Sequence, residues 1–325
     1  MEAIRSSWNR LLDALTPFYP YIYYATVPIG IYAVARLLYR FVPGPHCLSK
    51  FTLCDRVVLI TGASSGLGKE LAILFYRKGA KLILVARSTD ALKKLCEELK
   101  ATPGIQNTNE PVYSYFDMNE VNEKSVEAIV SLSPTGRIDV LVNNAGISMR
   151  GSCEETTMEV QRKVMETNFF GTVCLTKALL NRIPEDGAIV VTNSVQGKLA
   201  VPYRSAYSAS KHATQAFFDS LRCERGPCFH ILEVFAAYMK TDFGRRALNV
   251  HGVPVQKSDP DQAKGIEPSV AAMKIYKALV NRQTELLLAP VTYRLAIFLR
   301  WLCPDLIFYI LYRRSLKDPF GKKRD

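Results

Sequence analysis

The sequence predicts a doubly wound α/β fold, a single parallel sheet of about seven strands with helices on both faces. Three observations carry this. Short apolar runs recur along the chain and alternate with segments of helical period, and strands buried on both faces read as continuous apolar runs. A glycine-rich turn, Thr61-Gly62-Ala63-Ser64-Ser65-Gly66-Leu67-Gly68, follows the first such run and opens a helix. Gly62, Asn143, Ser194 and Ala236 each fall at or just beyond a strand end, where ligands of parallel sheets bind.

The elements follow in order. Arg56–Thr61 is the first strand, and the helical period runs from Gly66 to Gly79. Lys81–Ala86 is the second strand. Residues 88–101 are helical, with Ser88 placed to cap the helix N-terminus. Val112–Asp117 is the third strand. Ile138–Val142 is the fourth and leads into Asn143-Asn144-Ala145-Gly146. Ala188–Asn193, His230–Phe235 and Glu285–Leu288 complete the set.

At 325 residues the chain holds one large domain with appendages. The expected division is a membrane anchor and linker over 1–50, a catalytic domain over 51–289, and an apolar segment with a basic tail over 290–325. The formal net charge is +12, with basic residues concentrated at the ends. A basic end beside apolar sequence points to an anionic membrane surface. No nucleic-acid module is present, so nucleic acid is excluded as a partner. The eight cysteines lack paired metal-ligand spacing and read as reduced thiols, most of them in core elements; no metal is expected.

Residues Phe18 to Ala35 form an uncharged run of 18 residues, near the short limit for a spanning helix. A helix lying on the bilayer is the alternative. Arg36, Arg40 and Lys50 follow the run, which favours a cytosolic catalytic domain. From Val291 to Tyr312 a second apolar stretch is interrupted by Arg294, Arg300, Pro304 and Asp305. Two short interfacial helices fit it better than a span. Lys322 and Lys323 resemble the dilysine retrieval signal of endoplasmic reticulum membrane proteins, so that membrane is the expected location.

The chemistry is read from four positions. Tyr207 and Lys211 stand four apart, on one helix face. A free tyrosine titrates near 10, and a nearby ammonium favours its phenolate. Ser194, thirteen residues before Tyr207, can hold a substrate oxygen as its charge changes. In the glycine-rich turn, Gly62 permits the tight exit from the strand. Gly66 and Gly68 permit close backbone approach, and the helix that follows points free N–H groups at a pyrophosphate. The second strand ends in Ala86-Arg87-Ser88, with no carboxylate to grip a ribose 2′-hydroxyl. Arg87 suits a 2′-phosphate, which favours NADP over NAD. Asp117 is placed to accept from an adenine amino group.

Thr-Gly-x-x-x-Gly-x-Gly at Thr61–Gly68, Asn143–Gly146, Asn168, Ser194 and Tyr-x-x-x-Lys at Tyr207–Lys211 resemble the short-chain dehydrogenase/reductase family. The resemblance covers roughly Asp55 to Leu288. Leu141–Ser148, Val164–Gly171 and Ser205–Asp219 are most similar to its membrane-anchored member-7 group. The resemblance implies a Rossmann domain in which Ser64, Ser65, Leu67, Asn144 and Thr241 join Gly62, Gly66, Gly68, Arg87, Asp117, Tyr207 and Lys211 around NAD(P). Tyr207 would be the general acid in reduction, Lys211 would lower its pKa, Ser194 would orient the substrate carbonyl, and Asn168 would hold a water. A homodimer is implied in the same way.

One departure stands out. Where the family has Pro-Gly after the sixth strand, this chain has Ala236-Ala237. A strained φ at Ala237 would weaken cofactor binding. The expected function is NADP-dependent interconversion of a carbonyl and a secondary alcohol on a lipophilic substrate of steroid, retinoid or acyl-dihydroxyacetone-phosphate type. The alternative is a cofactor-binding sensor or scaffold with little turnover.

Overall fold

Strands too short and too apolar to stand alone pair into one seven-stranded sheet. In the computed structural model, which describes residues 16, 19–39, 41–44, 47–102, 107–257 and 260–316, these are β1 (Val57–Thr61), β2 (Lys81–Ala86), β3 (Val112–Tyr115), β4 (Val140–Asn143), β5 (Ala188–Ser194), β6 (His230–Ala236) and β7 (Glu285–Leu288). Their order is β3-β2-β1-β4-β5-β6-β7, and every pairing is parallel. The connection reverses direction between β1 and β4, which creates a crevice at the strand ends.

The helices are α1 (Tyr19–Tyr39), α2 (Gly66–Arg77), α3 (Thr89–Ala101), α4 (Glu123–Val130), α5 (Met158–Met165), α6 (Gly171–Leu179), α7 (Ser205–Arg225), α8 (Pro268–Val280), α9 (Val291–Leu302) and α10 (Pro304–Ser315). Alternation within each strand splits the core in two. Val58, Ile60, Leu82 and Leu84 face Leu71, Phe75, Leu92 and Ile275 of α2, α3 and α8. Val57, Leu59, Ile83 and Val85 face Val126, Leu175 and Phe218 of α4, α6 and α7. A strand with both faces covered is largely apolar, as Val57–Ile60 of β1 is.

Several boundaries differ from expectation. β5 and β6 each run one residue further, so Ser194 and Ala236 are themselves paired in register. β3 stops at Tyr115, two residues before Asp117. Ser88 occupies the N-cap of α3 but makes no side-chain cap bond. Between α5 and α6 the helix widens into a π turn at Glu166–Phe170. That widening breaks the 3.6-residue period and hides this segment from periodicity. Among the eight cysteines only Cys96 is buried, not most of them. There burial pushes the thiol up to about 11.

Among the described residues no helix is long and apolar enough to cross a membrane. The expected span near Phe18–Ala35 is therefore not met. Its helix, α1, carries Pro28 and Arg36, and its tyrosines lower its apolar content further. The second apolar stretch forms two helices, α9 and α10, divided before Pro304. The basic tail with Lys322 and Lys323 lies outside the described residues.

His230 opens β6 fully buried, with Nε2 3.0 Å from the Gln283 carbonyl. Burial pushes its pKa down to about 4, against the Gln283 hydrogen bond. The unfolded chain binds this proton below the usual histidine range, while the folded chain resists it. Stability is therefore lost as pH falls from about 6.5 towards 4. Urea unfolding at pH 7 and pH 4.5 should show an acid loss larger by up to about 3 kcal/mol in the native chain than in His230→Gln. Equal losses would refute the assignment.

Candidate active site

Parallel strands present all their C-terminal ends on one side. There the segments after β1, β2, β4, β5 and β6 wall a cleft of about 620 Å³. Gly62 and Gly66 have φ of +65° and +57°, a region that favours glycine. A Cβ on Gly62 would also lie 2.9 Å from the Ala145 Cα. This turn aims the first N–H groups of α2 into the cleft, and Ser65 at the N-cap makes no side-chain cap bond to them. Ser64, Ser65, Gly66 and Leu67 all line the cleft. Gly68 packs behind them against the Gly62 carbonyl.

The other expected cofactor residues gather on the same wall. Arg87 is exposed just beyond β2 and lines the cleft with Asp117. Asp117 accepts bonds from the backbone and side-chain nitrogens of Asn119 at 3.0 and 2.9 Å. Asn144 donates to the Thr61 carbonyl at 3.0 Å, which locks β4 to the glycine turn. Thr241 closes the opposite side. Beside it Arg246, which the sequence reading did not single out, donates to Ser65 Oγ at 3.1 Å. An anion in this half would meet helix N–H groups and two guanidiniums, a donor set suited to phosphate.

In the other half, Tyr207 and Lys211 lie buried one turn apart on α7. Lys211 Nζ donates to the Thr192 carbonyl at 2.9 Å. Ser194 Oγ donates to the Ala236 carbonyl at 3.3 Å, accepts from Gln196 N at 3.1 Å, and lines the cleft with Tyr207. One side chain joins these pieces. Asn193 Oδ1 accepts from Ser194 N at 2.8 Å, and its amide donates to the Lys211 carbonyl at 3.2 Å. The same amide donates to the fully buried Glu233 at 3.3 Å.

The electrostatics differ from expectation. Burial raises the pKa of Tyr207, opposed first by the Ser194 hydrogen bond and then by the Arg150 and Arg204 guanidiniums. Lys211 is not among the groups that oppose the rise. Its ammonium points to Thr192 and lies 5.9 Å from the Tyr207 ring centroid. Burial instead brings Lys211 itself down to about 8, with the Glu233 carboxylate opposing. Burial likewise lifts Glu233 to about 8. A tyrosine that keeps its proton beside a serine hydroxyl can donate to a carbonyl oxygen.

Asn168 sits in the π turn, behind the cleft wall. Its side chain accepts from Ile147 N at 2.8 Å and donates to Ile147 O and Ser210 Oγ. The amide thus ties the loop after β4 to α7. Ala236 and Ala237 line the cleft, and neither has positive φ. Ala237 N donates to the Leu288 carbonyl at 3.0 Å, so the turn continues the β6–β7 ladder without strain. Asn193 and Glu233 escaped the sequence reading, although a lone carboxylate in the buried run His-Ile-Leu-Glu-Val-Phe-Ala was a usable signal. Arg150, Arg204 and Arg246 carry no local pattern.

If the Lys211 ammonium supports the reaction, activity should fall as pH rises through about 8, where this group loses its proton. In Lys211→Arg, whose guanidinium stays charged, that fall should vanish from the kcat/KM profile. A fall that persists unchanged would remove Lys211 from the titration, and Glu233→Gln checks the neighbouring carboxyl.

Comparison with known proteins shows the family. The family model described as short chain dehydrogenase matches residues 56–249. A dehydrogenase/reductase SDR family member 7B from Xenopus tropicalis is 42% identical over 294 residues, 89% of this chain and 93% of that protein. An alcohol dehydrogenase from the archaeon Thermococcus sibiricus, complexed with 5-hydroxy-NADP, superposes with a TM-score of 0.61 at 28% identity. It covers 72% of this chain and 96% of its own. A short chain dehydrogenase/reductase from Burkholderia phymatum in complex with NAD shares the fold, with a TM-score of 0.67 at 22% identity over 79% of this chain and 96% of that chain. The chain belongs to the short-chain dehydrogenase family, whose members are NAD(P)-dependent oxidoreductases.

Proposed function

We propose that the chain reduces a ketone on a lipophilic substrate to a secondary alcohol, with NADP(H) as its cofactor. The observation that carries this is the buried Tyr207 phenol, raised in pKa by burial and set with Ser194 in the wall of the cleft. A reduced nicotinamide held in the cleft would supply the hydride that the carbonyl carbon accepts. Tyr207 delivers the proton to the carbonyl oxygen, and Ser194 holds that oxygen as charge develops on it. Lys211 is anchored at Thr192, where it can hold a ribose and offset negative charge left on Tyr207. The glycine turn, the N-terminus of α2 and Arg246 would hold the pyrophosphate, and Arg87 a 2′-phosphate.

The apolar ends support the lipophilic part. On α9 and α10, Val291, Trp301 and Tyr309 are exposed among Arg294, Arg300 and Arg313, a mixture that suits a membrane interface. Lys322 and Lys323 favour the endoplasmic reticulum, with the domain in the cytosol. A glycosylation acceptor inserted beside Asn107 should then stay unmodified in cells, whereas modification would put the domain in the lumen.

Two substitutions test the chemistry. Tyr207→Phe should lose at least about a thousandfold in kcat, from the proton donor and its positioning together, and should keep cofactor affinity in a fluorescence titration. Turnover that survives would reject the mechanism, and a native chain that binds cofactor but reduces no ketone would favour a sensor. Arg87→Ala should weaken NADPH by roughly 10-fold or more and leave NADH unchanged. Equal effects on both would remove the stated basis for NADP.

A further inference from the structure

A second, smaller cavity of about 70 Å³ adjoins the cleft. Ser194, Gln196, Ala236, Ala237 and Tyr238 are walls of both. Its far side is not made by the nucleotide-binding domain. Tyr293 and Ile297 of α9 and Leu311 of α10 close it, opposite Leu199 and Val201. The four-residue spacings Tyr293 to Ile297 and Ile307 to Leu311 put these side chains on the inward faces of the two helices, where Ile307 is buried. The outward faces are also apolar, with Phe298 and Trp301 on one helix and Phe308 and Tyr312 on the other, all exposed. Exposed aromatic side chains among arginines suit an interface that covers them. Here one side roofs a cavity that opens on Ser194.

We infer that this cavity is a subsite for the apolar chain of the substrate, and that α9 and α10 lead that chain from a bilayer surface to the ketone position at Ser194 and Tyr207. The inference rests on the reductase reading above and gives its substrate a direction of entry. The lining decides the chemical class. Apart from the walls shared with the cleft, it is mostly aliphatic and aromatic, so a sugar or a small hydroxy acid would leave its hydroxyls unpaired. At the inner end Arg204 donates to the Tyr238 hydroxyl at 3.0 Å. Arg314 lines the cavity from the last turn of α10, where a cation suits anionic headgroups. The occupant is the first few carbons of an alkyl chain attached to the ketone, a length that a cavity of about 70 Å³ admits, while the rest of the molecule is still in the membrane.

The test uses the full-length protein with NADPH on phosphatidylcholine vesicles containing phosphatidylserine. The probe is a long-chain alkyl methyl ketone with a diazirine a few carbons from the carbonyl. Photolysis should label the peptides that hold Tyr293, Ile297 or Leu311. Ile297→Trp should fill the cavity, reduce labelling at least tenfold, and raise KM for the long ketone at least tenfold. It should change kcat/KM for butanone less than twofold. Leu311→Phe, a milder change, should do the same in smaller measure and covers the case in which the tryptophan variant fails to fold. Label confined to outward residues such as Trp301, or equal losses for long and short ketones, would overturn the inference. A native protein that reduces neither ketone would sink the reductase reading, and the labelled residues would still decide where the chain binds.

Discussion

Asn193 is the point on which the two halves of the chemistry depend. It is the penultimate residue of a central strand, and its buried side chain meets the backbone of α7 and the Glu233 carboxyl of β6. One amide oxygen fixes the backbone of Ser194 and one amide nitrogen fixes the carbonyl of Lys211. The serine comes from a strand and the tyrosine–lysine pair from a helix, so something must set their relative position to a fraction of an ångström. Burial makes this bond count, because an unmet partner in a site without water costs more than one at the surface. Glu233 beneath it completes the arrangement, at the cost of a buried carboxyl whose pKa is raised.

The same logic explains why much of the architecture is visible in the sequence and some of the site is not. Strands such as Val57–Thr61 are apolar because both faces are covered, and that reads directly from five consecutive letters. The turn at Gly62 and Gly66 reads directly because left-handed backbone leaves few residue choices. Tyr207 and Lys211 read directly because a helix fixes their spacing. Asn193, Glu233 and Arg246 do not. Each meets its partners across gaps of 18, 40 and 181 residues, and only the tertiary fold brings them together. Lys211 shows the limit from another side. Its spacing to Tyr207 was legible, but the aim of its ammonium at Thr192 was set by a carbonyl on β5.

Ala236-Ala237 is a case in which a departure from pattern was visible and its consequence was not. The sequence alone allows a strained turn there. In the fold both residues take ordinary backbone, and Ala237 N donates to the Leu288 carbonyl of β7, a bond that needs no glycine conformation. The same two residues face the nucleotide cleft on one side and the apolar cavity under α9 and α10 on the other. The C-terminal helices α9 and α10 thus share a wall with the candidate active site.

The most direct measurement of this account is a double-mutant cycle on single-turnover hydride transfer with Asn193→Ala and Lys211→Ala, each variant saturated with cofactor. If Asn193 acts by holding Lys211 and Ser194 as one unit, the two losses should overlap, with a coupling of roughly 1–3 kcal/mol. Losses that simply add would mean that the amide and the lysine act independently, and would contradict the claim that this one side chain assembles the site.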